Sequence, residues 1–353
     1  MLSRVGVKIG VEEVDMTIKQ VARAAGVSPA TVSRVMNSGA NIAPSTAEAV
    51  RRVVAELQYN PRPRRRPGPR GESTSTRKAR IGFFVVEHGL VSHNPAYERL
   101  MRGVSQANHE FDFEIQFSFV NADGDVVRRI ADGGFDGLLL HGAPPDAEQS
   151  KPLHDIPTVW LMGGRQRPSW GDQVMPDNVL IGQIAAEHLL AQGHRDVIYF
   201  GIDTAWFYHA RATAFQKAIE DAGGRCTIIQ KSELVPGPIH EVGRATLARE
   251  LFKKWKAMPI PATGLFVAED WLLRPVYTAA ADAGVAIGKD VSVVSCNNDR
   301  ARLEGLSPVP PTVDIFIERI AARGVEQLAY RLKRPSDGQD RLRILVEPAL
   351  VLP

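Results

Sequence analysis

Beyond Arg80 the chain alternates short apolar runs with longer segments in which apolar residues recur every three or four positions. Apolar runs bounded by turn residues are typical of buried strands, and the longer period is typical of helices. We therefore predict strands at 81–86, 113–120, 137–142, 157–162, 196–201, 263–268 and 291–296, and a closing apolar ILVEPALVL. Helices are predicted at 95–109, 123–132, 179–192, near 209–222, near 272–283 and near 315–332. This alternation predicts an α/β fold whose parallel sheets are covered on both faces and bind ligands at the carboxyl ends of their strands.

A different pattern, TIKQVARAAGVSPATVSRVMN, occupies residues 17–37. Apolar residues at helical spacing, then Gly26 and a Ser-Pro pair, predict a first helix, a left-handed turn and a capped second helix. Val32 and Val35 are expected to face inward, which leaves small polar residues and Arg34 on the outer face. Such a helix can enter the major groove of DNA, so the pattern predicts a helix-turn-helix. The alternative is an ordinary buried helical hairpin.

Charge divides the chain into two parts of opposite sign. Residues 1–80 contain 15 Lys/Arg and 6 Asp/Glu, whereas the remaining residues contain 28 and 34. A total of 353 residues is enough for a small head and one or two larger lobes. A basic head on an acidic body is typical of a nucleic-acid module joined to a sensor, and it fits an enzyme with one uniform surface less well.

Several compositional features indicate a reducing, aqueous setting. No apolar run reaches the length of a membrane span, and charges interrupt the N-terminal segment, which argues against a signal peptide. The two cysteines, Cys226 and Cys296, lie far apart and lack metal-ligand spacing. We therefore expect a cytoplasmic protein with no membrane segment, no metal and no cofactor. A disulfide between the two cysteines stays open as an alternative.

The chain divides into four segments. Residues 1–16 form an extension with no assignable role, and residues 17–60 form the head. Residues 61–79, PRPRRRPGPRGESTSTRKA, are rich in Pro, Arg, Gly and Ser and cannot pack a core, so we assign them as a basic linker. Residues 80–353 form the body.

The head motif carries a family resemblance. With a third helix near 45–57 and the closing Tyr59-Asn60-Pro61, it resembles the lactose-repressor/galactose-repressor (LacI/GalR) family of transcriptional regulators. The resemblance implies a multi-domain protein, with an all-α helix-turn-helix head and an α/β periplasmic-binding-protein-like body. That body has two parallel-sheet lobes that hold an effector between them.

In the body the resemblance rests on shorter motifs, Asp177-Asn178, Gly193-His194-Arg195 and ADAGVAIGKDVSVVS. It implies that the chain crosses three times between the lobes. We expect these crossings near 174–178, 308–312 and 336–342. The corresponding lobe boundaries are 80–175 with 312–336 for the first lobe, and 176–311 with 337–353 for the second.

Matching the family motif residue by residue implies a set of DNA contacts. Pro29, Ala30 and Arg34 take the base-reading positions, and a guanidinium can donate to O6 and N7 of guanine. The alternative for Arg34 is a phosphate contact, and the alternative for Asn37 is a helix C-cap. The full set that the resemblance implies is Thr17, Ser28, Pro29, Ala30, Thr31, Ser33, Arg34, Asn37, Tyr59, Arg62, Arg64, Arg65 and Arg66.

The linker departs from the family pattern. Family members carry a hinge helix with Ala-Arg-x-Leu, but here those positions hold Arg65, Arg66, Pro67 and Gly68, which disfavour a helix and lack the leucine. Two alternatives remain: a basic arm in a narrow minor groove, or a disordered tether that touches phosphates without specificity. Without a hinge helix, we expect an effector to act through the spacing of the two heads in a dimer.

The resemblance also implies effector contacts at strand ends. Arg211 supplies donors that suit vicinal hydroxyls or an anion, and Asn297-Asn298 stands where the family commonly has two aspartates. The weaker grip of two amides means that Glu269 compensates or that the effector is not a typical sugar. For the aromatic residues, packing between the lobes is the alternative. The implied effector contacts are Arg211, Glu269, Asp270, Asn297, Asn298, Trp206 and Phe207.

These features together predict a DNA-binding transcriptional repressor with a sugar-like effector, acting as a homodimer on a palindromic operator. We find no GxGxxG, P-loop, serine elbow or metal constellation, so no catalytic residue is proposed. The alternatives are a non-specific or architectural DNA binder driven by the Arg-rich linker, an enzyme with a DNA-binding head, and a sugar-binding transport protein.

Overall fold

The computed structural model describes most of the chain in two compact units, Met1–Ser75 and Thr76–Pro353. The residues that it describes are 18–36, 43–56, 77–87, 95–121, 125–163, 167–201, 206–230, 243–334 and 340–353. Residues 61–76 of the linker and the predicted DNA contacts at Thr17, Asn37, Tyr59, Arg62, Arg64, Arg65 and Arg66 lie outside the described residues.

The first unit contains three helices, α1 (Ile18–Ala24), α2 (Pro29–Met36) and α3 (Pro44–Glu56). Gly26 follows α1 with φ of +63°, and the amides of Gly26 and Val27 donate to the carbonyls of Arg23 and Ala22. This hydrogen-bond pair is a Schellman motif, which needs a left-handed residue at that point. The buried core is Val21, Ala22, Val32, Val35, Val50 and Val53. The predicted two-helix turn and its inward-facing valines are therefore confirmed.

The described residues of the second unit form twelve strands in two six-stranded sheets. The strands are β1 (Arg80–Glu87), β2 (Glu114–Asn121), β3 (Gly137–Gly142), β4 (Thr158–Leu161), β5 (Asp172–Pro176), β6 (Asp196–Gly201), β7 (Arg225–Gln230), β8 (Gly264–Val267), β9 (Ser292–Cys296), β10 (Thr312–Asp314), β11 (Arg343–Val346) and β12 (Ala349–Val351). The sheet orders are β11-β5-β4-β3-β1-β2 and β12-β10-β9-β8-β6-β7. All pairs are parallel except β10 with β12, so the two predicted parallel-sheet lobes are confirmed.

Helices cover both sheets. They are α4 (Pro95–Phe111), α5 (Asp125–Asp132), α6 (Ala147–Ser150), α7 (Asn178–Ala191), α8 (Trp206–Asp221), α9 (Arg244–Lys256), α10 (Leu273–Asp282), α11 (Arg300–Leu303) and α12 (Ile317–Lys333). We call the first sheet with α4, α5, α6 and α12 the first lobe, and the second sheet with α7 to α11 the second lobe. Strands β5 and β7 and helix α9 were absent from the sequence prediction.

Two of the three predicted crossings lie at other positions than expected. The first, after Pro176, falls within the predicted 174–178. The second follows β10, because residues 312–314 pair with β9 in the second sheet before the chain enters α12. The third falls at 347–348, because β11 pairs with β5 in the first sheet. Residues 312–314 therefore belong to the second lobe and β11 to the first, which corrects the predicted boundaries.

The carboxyl ends of the strands in each sheet point toward the other lobe. β5 ends at Pro176 and leads into α7 of the second lobe, and β10 ends at Asp314 and leads toward α12 of the first. Because parallel neighbours run in the same direction, the other carboxyl ends share these edges. Ligands of parallel sheets bind at such edges, so the fold provides a cleft of the predicted kind between two lobes.

Candidate effector cleft and DNA-reading helix

The predicted effector residues follow three neighbouring strands of the second sheet, β6, β8 and β9. Trp206 begins the helix after β6, Glu269 and Asp270 follow β8, and Asn297 and Asn298 follow β9. The structure therefore brings these residues to one edge of the sheet. Their side chains have different partners, which are described below residue by residue.

Arg211 is buried in the second lobe, with 2% of its surface exposed. Its Nη2 donates to Asn178 Oδ1 at 2.9 Å and its Nη1 donates to the Ala268 carbonyl at 2.5 Å. Its Nε is buried and has no hydrogen-bond partner among the described residues. Two anchors thus fix the guanidinium directly behind the carboxyl end of β8, and the Nε donor stays without a partner among the described residues.

Glu269 is held by two aromatic side chains. The Tyr208 hydroxyl donates to Oε1, and the Trp271 indole N–H donates to Oε2. Burial raises the pKa of Glu269 above its usual value, although hydrogen bonds from Tyr208 and the charge of Arg211 favour the ionised form. Each carboxylate oxygen keeps a further lone pair, so Glu269 can still accept from a ligand hydroxyl.

Asp270, another predicted effector contact, has its carboxylate bonded to protein donors in the interior of the lobe. Only 1% of the residue is exposed. Oδ2 accepts from the Asp299 amide at 2.7 Å, and Oδ1 accepts from the Thr312 hydroxyl at 3.1 Å. Burial raises the pKa of Asp270 to about 7, although Ser295 and these two donors favour the charge. Asp270 therefore links the end of β8 by hydrogen bonds to the segments that contain Asp299 and Thr312.

Asn297 and Asn298 form a strained loop after β9. Their φ angles are +111° and +50°, values that L-residues with side chains rarely adopt. Asn298 Nδ2 donates to Asp314 Oδ2 at 2.9 Å, and the Asn297 carbonyl accepts from Arg99 Nη1 at 2.7 Å. These bonds hold the loop against the end of β10 and against a side chain of the first lobe.

Trp206 and Phe207 lie against the first lobe. The Arg167 guanidinium sits 4.3 Å from the Trp206 ring centre, and that of Arg343 sits at 5.9 Å. A Cβ at Gly163 would lie 3.8 Å from the Phe207 ring and 3.9 Å from Trp206. These contacts are of the packing kind that the sequence left open as an alternative for the two aromatics, and their contact with an effector stays a prediction.

Two residues that matter to this geometry were not assigned from the sequence. Trp271 orients Glu269 together with Tyr208, and Arg99 reaches the Asn297 carbonyl from the other lobe. In the sequence Tyr208 is a candidate for stacking on a sugar, as are Trp206 and Phe207, and Trp271 stands next to a predicted contact, which is a weak signal. Arg99 lies 198 residues from Asn297 and carries no local signal.

In the head, α2 begins as the sequence predicts. Ser28 Oγ accepts from the Thr31 amide at 3.1 Å, and the two hydroxyl oxygens lie 2.9 Å apart. This capping bond fixes the start of the helix that would enter a groove. The side chains of Pro29, Ala30, Ser33 and Arg34 lie outside what the structure describes.

Three protein-family models match the chain. The model for bacterial regulatory proteins of the lacI family matches residues 17–62. The model for periplasmic binding proteins and the sugar binding domain of the LacI family matches 78–255, and a periplasmic binding protein-like domain matches 186–352. The chain belongs to the LacI family.

Curated relatives of this LacI-family chain include named repressors. The HTH-type transcriptional repressor PurR of Photobacterium profundum is 26% identical over 349 residues, which cover 95% of this chain and 97% of that protein. The ribose operon repressor of Escherichia coli (strain K12) is 25% identical over 338 residues, which cover 93% and 96%.

Solved structures of LacI-family regulators share the fold. A complex of the transcriptional regulator CelR with cellobiose has a TM-score of 0.63 and 22% identity, covering 96% of this chain and 98% of that one. The lac repressor dimer bound to operator and the anti-inducer ONPF has a TM-score of 0.63 and 19% identity, with the same coverage. At these identities the likeness concerns the fold alone.

No group of three or more His, Cys, Asp or Glu side chains among the described residues is placed to hold a metal ion. None of the described helices combines the length and apolar character of a membrane span.

Proposed function

We propose that the protein is a sequence-specific transcriptional repressor that binds a palindromic operator as a homodimer and responds to a small, sugar-like effector between its lobes. The observation that carries this proposal is a pre-oriented Glu269, at a strand end of a two-lobed body, in a chain that also carries a helix-turn-helix head. Tyr208 and Trp271 hold the carboxylate in place before a ligand arrives, which lowers the entropic cost of binding.

The effector contacts divide by chemistry. Glu269 accepts from ligand hydroxyls, and Arg211 supplies a charged donor from behind the same strand end. Asn297 and Asn298 offer amides, and Trp206 and Phe207 offer aromatic faces at the lobe boundary. Asp270 is assigned to positioning the loops, because only 1% of the residue is exposed and its oxygens bond to donors of the protein. A neutral polyhydroxyl compound fits this mixture of one acceptor, one donor and aromatic surface.

On the DNA side, α2 supplies the reading surface. Arg34 is proposed to donate to guanine, with Pro29 and Ala30 beside it at the groove floor. Ser28, Thr31, Ser33 and Thr17 are proposed to position the head on phosphates, and Asn37 and Tyr59 to complete the head contacts. Arg62, Arg64, Arg65 and Arg66 are proposed to form the basic arm. Two modules, each with its own match to the family, support this division.

The protein is further proposed to act without catalysis and in the cytoplasm. Named repressors cover nearly its whole length, and the partner is DNA. Cys226 and Cys296 are both free thiols, which suits a reducing compartment. Recovery of ribose or cellobiose unchanged, by mass spectrometry after saturation binding, would support the first point, and turnover would contradict it.

Selection of random duplex DNA by the purified full-length protein tests the proposal. We expect a palindrome of two half-sites, as a dimeric helix-turn-helix protein requires. Weak enrichment without a palindrome, combined with a salt slope of about −0.9 per phosphate neutralised, would instead indicate an architectural binder driven by the arginine arm. Adding ribose or cellobiose to the selected duplex complex then tests for an effector response.

The same DNA complex tests how the linker acts. Hydrogen exchange across residues 62–70 distinguishes an ordered hinge from an extended arm. Protected, helix-like amides there would contradict our proposal that the effector acts through the spacing of the heads. Unprotected amides with an A·T bias at the operator centre would support a minor-groove arm.

A further inference from the structure

One guanidinium connects the two lobes. Arg99 lies on α4 of the first lobe, and its Nη1 donates to the carbonyl of Asn297 in the second lobe at 2.7 Å. Its Nε and Nη2 donate to the two carboxylate oxygens of Glu318, at 2.9 and 2.7 Å. Nη2 also lies 3.5 Å from Asp314 Oδ1. Nη1 also lies 3.5 Å from the Asn298 carbonyl oxygen. Arg99 therefore uses all three of its nitrogens on four residues, which lie in the loop after β9, in β10 and in α12.

Each partner marks a part of the molecule that a lobe movement must rearrange. Asn297 begins the strained loop of the effector cleft, and Asp314 is the last residue of β10 before the second crossing. Glu318 lies in the first turn of α12, just after that crossing. Asp314 Oδ1 also accepts from the amide of Phe316, at 2.8 Å. The cleft loop, the crossing and α12 thus meet at Arg99.

The backbone on both sides of this contact is held in uncommon conformations. Asn297, Asn298 and Phe316 have φ angles of +111°, +50° and +51°. Non-glycine residues stay in such conformations only when the surrounding structure holds them there. The Arg99 bond to the Asn297 carbonyl and the Asp314 bond to the Phe316 amide are two of these restraints.

The ion pairs of Arg99 are largely shielded from solvent. The side chains of Arg99, Asp314 and Glu318 are 16%, 11% and 29% exposed. Burial opposes the charge on Glu318, yet the hydrogen bonds and charge of Arg99 hold the pKa of this carboxyl below its usual value. The planar guanidinium bonds both oxygens of a carboxylate and a carbonyl in one fixed arrangement, whereas an ammonium group is a compact point charge without this two-pronged geometry.

Any displacement of Arg99 moves a rigid pair of helices. α4 and α12 touch closely at Gly103, where an added Cβ would lie 2.4 Å from the Glu318 carbonyl oxygen and 2.8 Å from Ala321. Helices that approach so closely cannot slide independently without a clash. A displacement of Arg99 should therefore move α4 and α12 of the first lobe together.

We propose that Arg99 is a positioning residue that couples the Asn297–Asn298 loop of the effector cleft to helices α4 and α12 of the first lobe. The coupling to DNA binding rests on the proposed function, whereas the coupling between loop and helices does not. Arg99 contacts backbone and carboxylates of the protein, so its effect on the effector passes through the loop.

Hydrogen exchange of the full-length protein without effector is the first test. Arg99→Met should speed exchange about tenfold in peptides spanning 296–300 and 314–318, because it removes restraints on both segments. Arg99→Lys should retain protection at 314–318 but lose it at 296–300, because it keeps the charge and lacks the fork. Peptides covering β8 should stay unchanged in both variants.

Arg102→Met is the matched control. Arg102 lies on the same helix, with its side chain 53% exposed, and pairs with Glu98 of that helix at 2.7 Å. Unchanged exchange in Arg99→Met, or an equal increase in Arg102→Met, would overturn the proposal. A uniform increase over the whole second lobe would also overturn it, because that result indicates a general loss of stability.

A second measurement connects the loop to DNA. The duplex enriched by the wild-type protein is titrated with and without ribose or cellobiose, whichever changes wild-type affinity, and the ratio of Kd values is the coupling. Arg99→Met should reduce this ratio toward one, and Arg102→Met should preserve it. If the wild type selects no palindrome or answers neither sugar, the proposed function fails while hydrogen exchange still decides the role of Arg99.

Discussion

The Tyr208 hydroxyl donates to Glu269 across the space between α8 and the end of β8, so two elements of the second lobe fix one carboxylate. Trp271 occupies the other oxygen. A ligand hydroxyl that donates to this carboxylate forms a charge-assisted hydrogen bond with an acceptor that needs no reorganisation. The oriented carboxylate leads to the first prediction.

Glu269→Gln should weaken binding of the effector without weakening binding of DNA. The amide keeps the shape but loses the charge, and its NH2 group opposes one of the two aromatic donors. We expect the affinity for the responsive sugar to fall about 10- to 100-fold, the value of a hydrogen bond to a charged group. Calorimetric titration measures this loss, and binding of the selected duplex without sugar should stay at the wild-type level.

Two variants control for the position of the change. Tyr208→Phe keeps the carboxylate and removes one of its two donors, so it should cause a smaller loss than Glu269→Gln. Glu304→Gln alters an exposed glutamate of the same lobe and should leave the affinity for the sugar unchanged. Equal sugar affinity in the wild type and in Glu269→Gln would remove Glu269 from the effector site.

The sequence predicted those parts of the fold that local patterns determine. The turn at Gly26 and the strand ends at Glu269 and Asn297 follow from residues near them in the chain. Asp172 illustrates what local patterns miss. It opens β5 as a buried carboxylate, which looks like a loop residue in sequence, because its partner Arg331 lies 159 positions away.

The errors in the predicted positions of the crossings also arise because local patterns do not reveal partners that lie far away in the chain. The apolar ILVEPALVL divides between two sheets at Glu347-Pro348, and sequence patterning cannot assign two short strands to different partners. Asp270 was predicted to contact the effector because it follows a strand. Its hydrogen-bond partners in the fold, Asp299 and Thr312, come from other segments of the lobe and carry no local signal, and its contact with an effector stays a prediction.

A second prediction concerns the buried pair in the first lobe. Asp172 accepts from Arg331 Nε at 2.6 Å, from Gln327 Nε2 at 2.6 Å and from the Leu342 amide at 2.8 Å. Among the described residues, Asp172→Asn leaves the buried guanidinium of Arg331 with Asp340 as its one charged partner. We expect the free energy of unfolding to fall by about 3 kcal/mol, measured from urea unfolding curves.

An exposed pair provides the comparison for this measurement. Asp221 pairs with Lys217 at 2.7 Å along α8, with both side chains more than half exposed. Asp221→Asn should change the free energy of unfolding by about 0.5 kcal/mol or less. Similar losses for Asp172→Asn and Asp221→Asn would contradict the importance of the buried network.

A third prediction concerns pH. Burial raises the pKa of Asp270 to about 7, whereas an unfolded aspartate titrates at about 3.9. The folded state therefore binds more protons between these values, so this residue contributes stability below about pH 4 that is lost as pH rises through about 7. The loss should approach about 1.4 kcal/mol per pH unit within that window.

Comparison with Asp270→Asn isolates this contribution, because every other titrating group is common to both proteins. The difference in unfolding free energy between wild type and variant, measured in urea at pH 5, 6 and 7, should shift against the wild type as pH rises. A difference that stays constant across this range would mean that Asp270 titrates at its ordinary value in the folded protein.

The last prediction tests the reading helix. If Arg34 donates to guanine, Arg34→Ala should weaken binding of the selected duplex by about 1–3 kcal/mol. It should also remove the base preference at one base pair of each half-site. Arg23→Ala, which removes an exposed arginine in the last turn of α1, should leave the order of preference among duplexes unchanged. Competition among duplexes with single base-pair changes measures both effects. A uniform loss for Arg34→Ala across all duplexes, with a salt slope smaller by about one, would instead assign Arg34 to a phosphate, because phosphate contacts contribute affinity without distinguishing sequences.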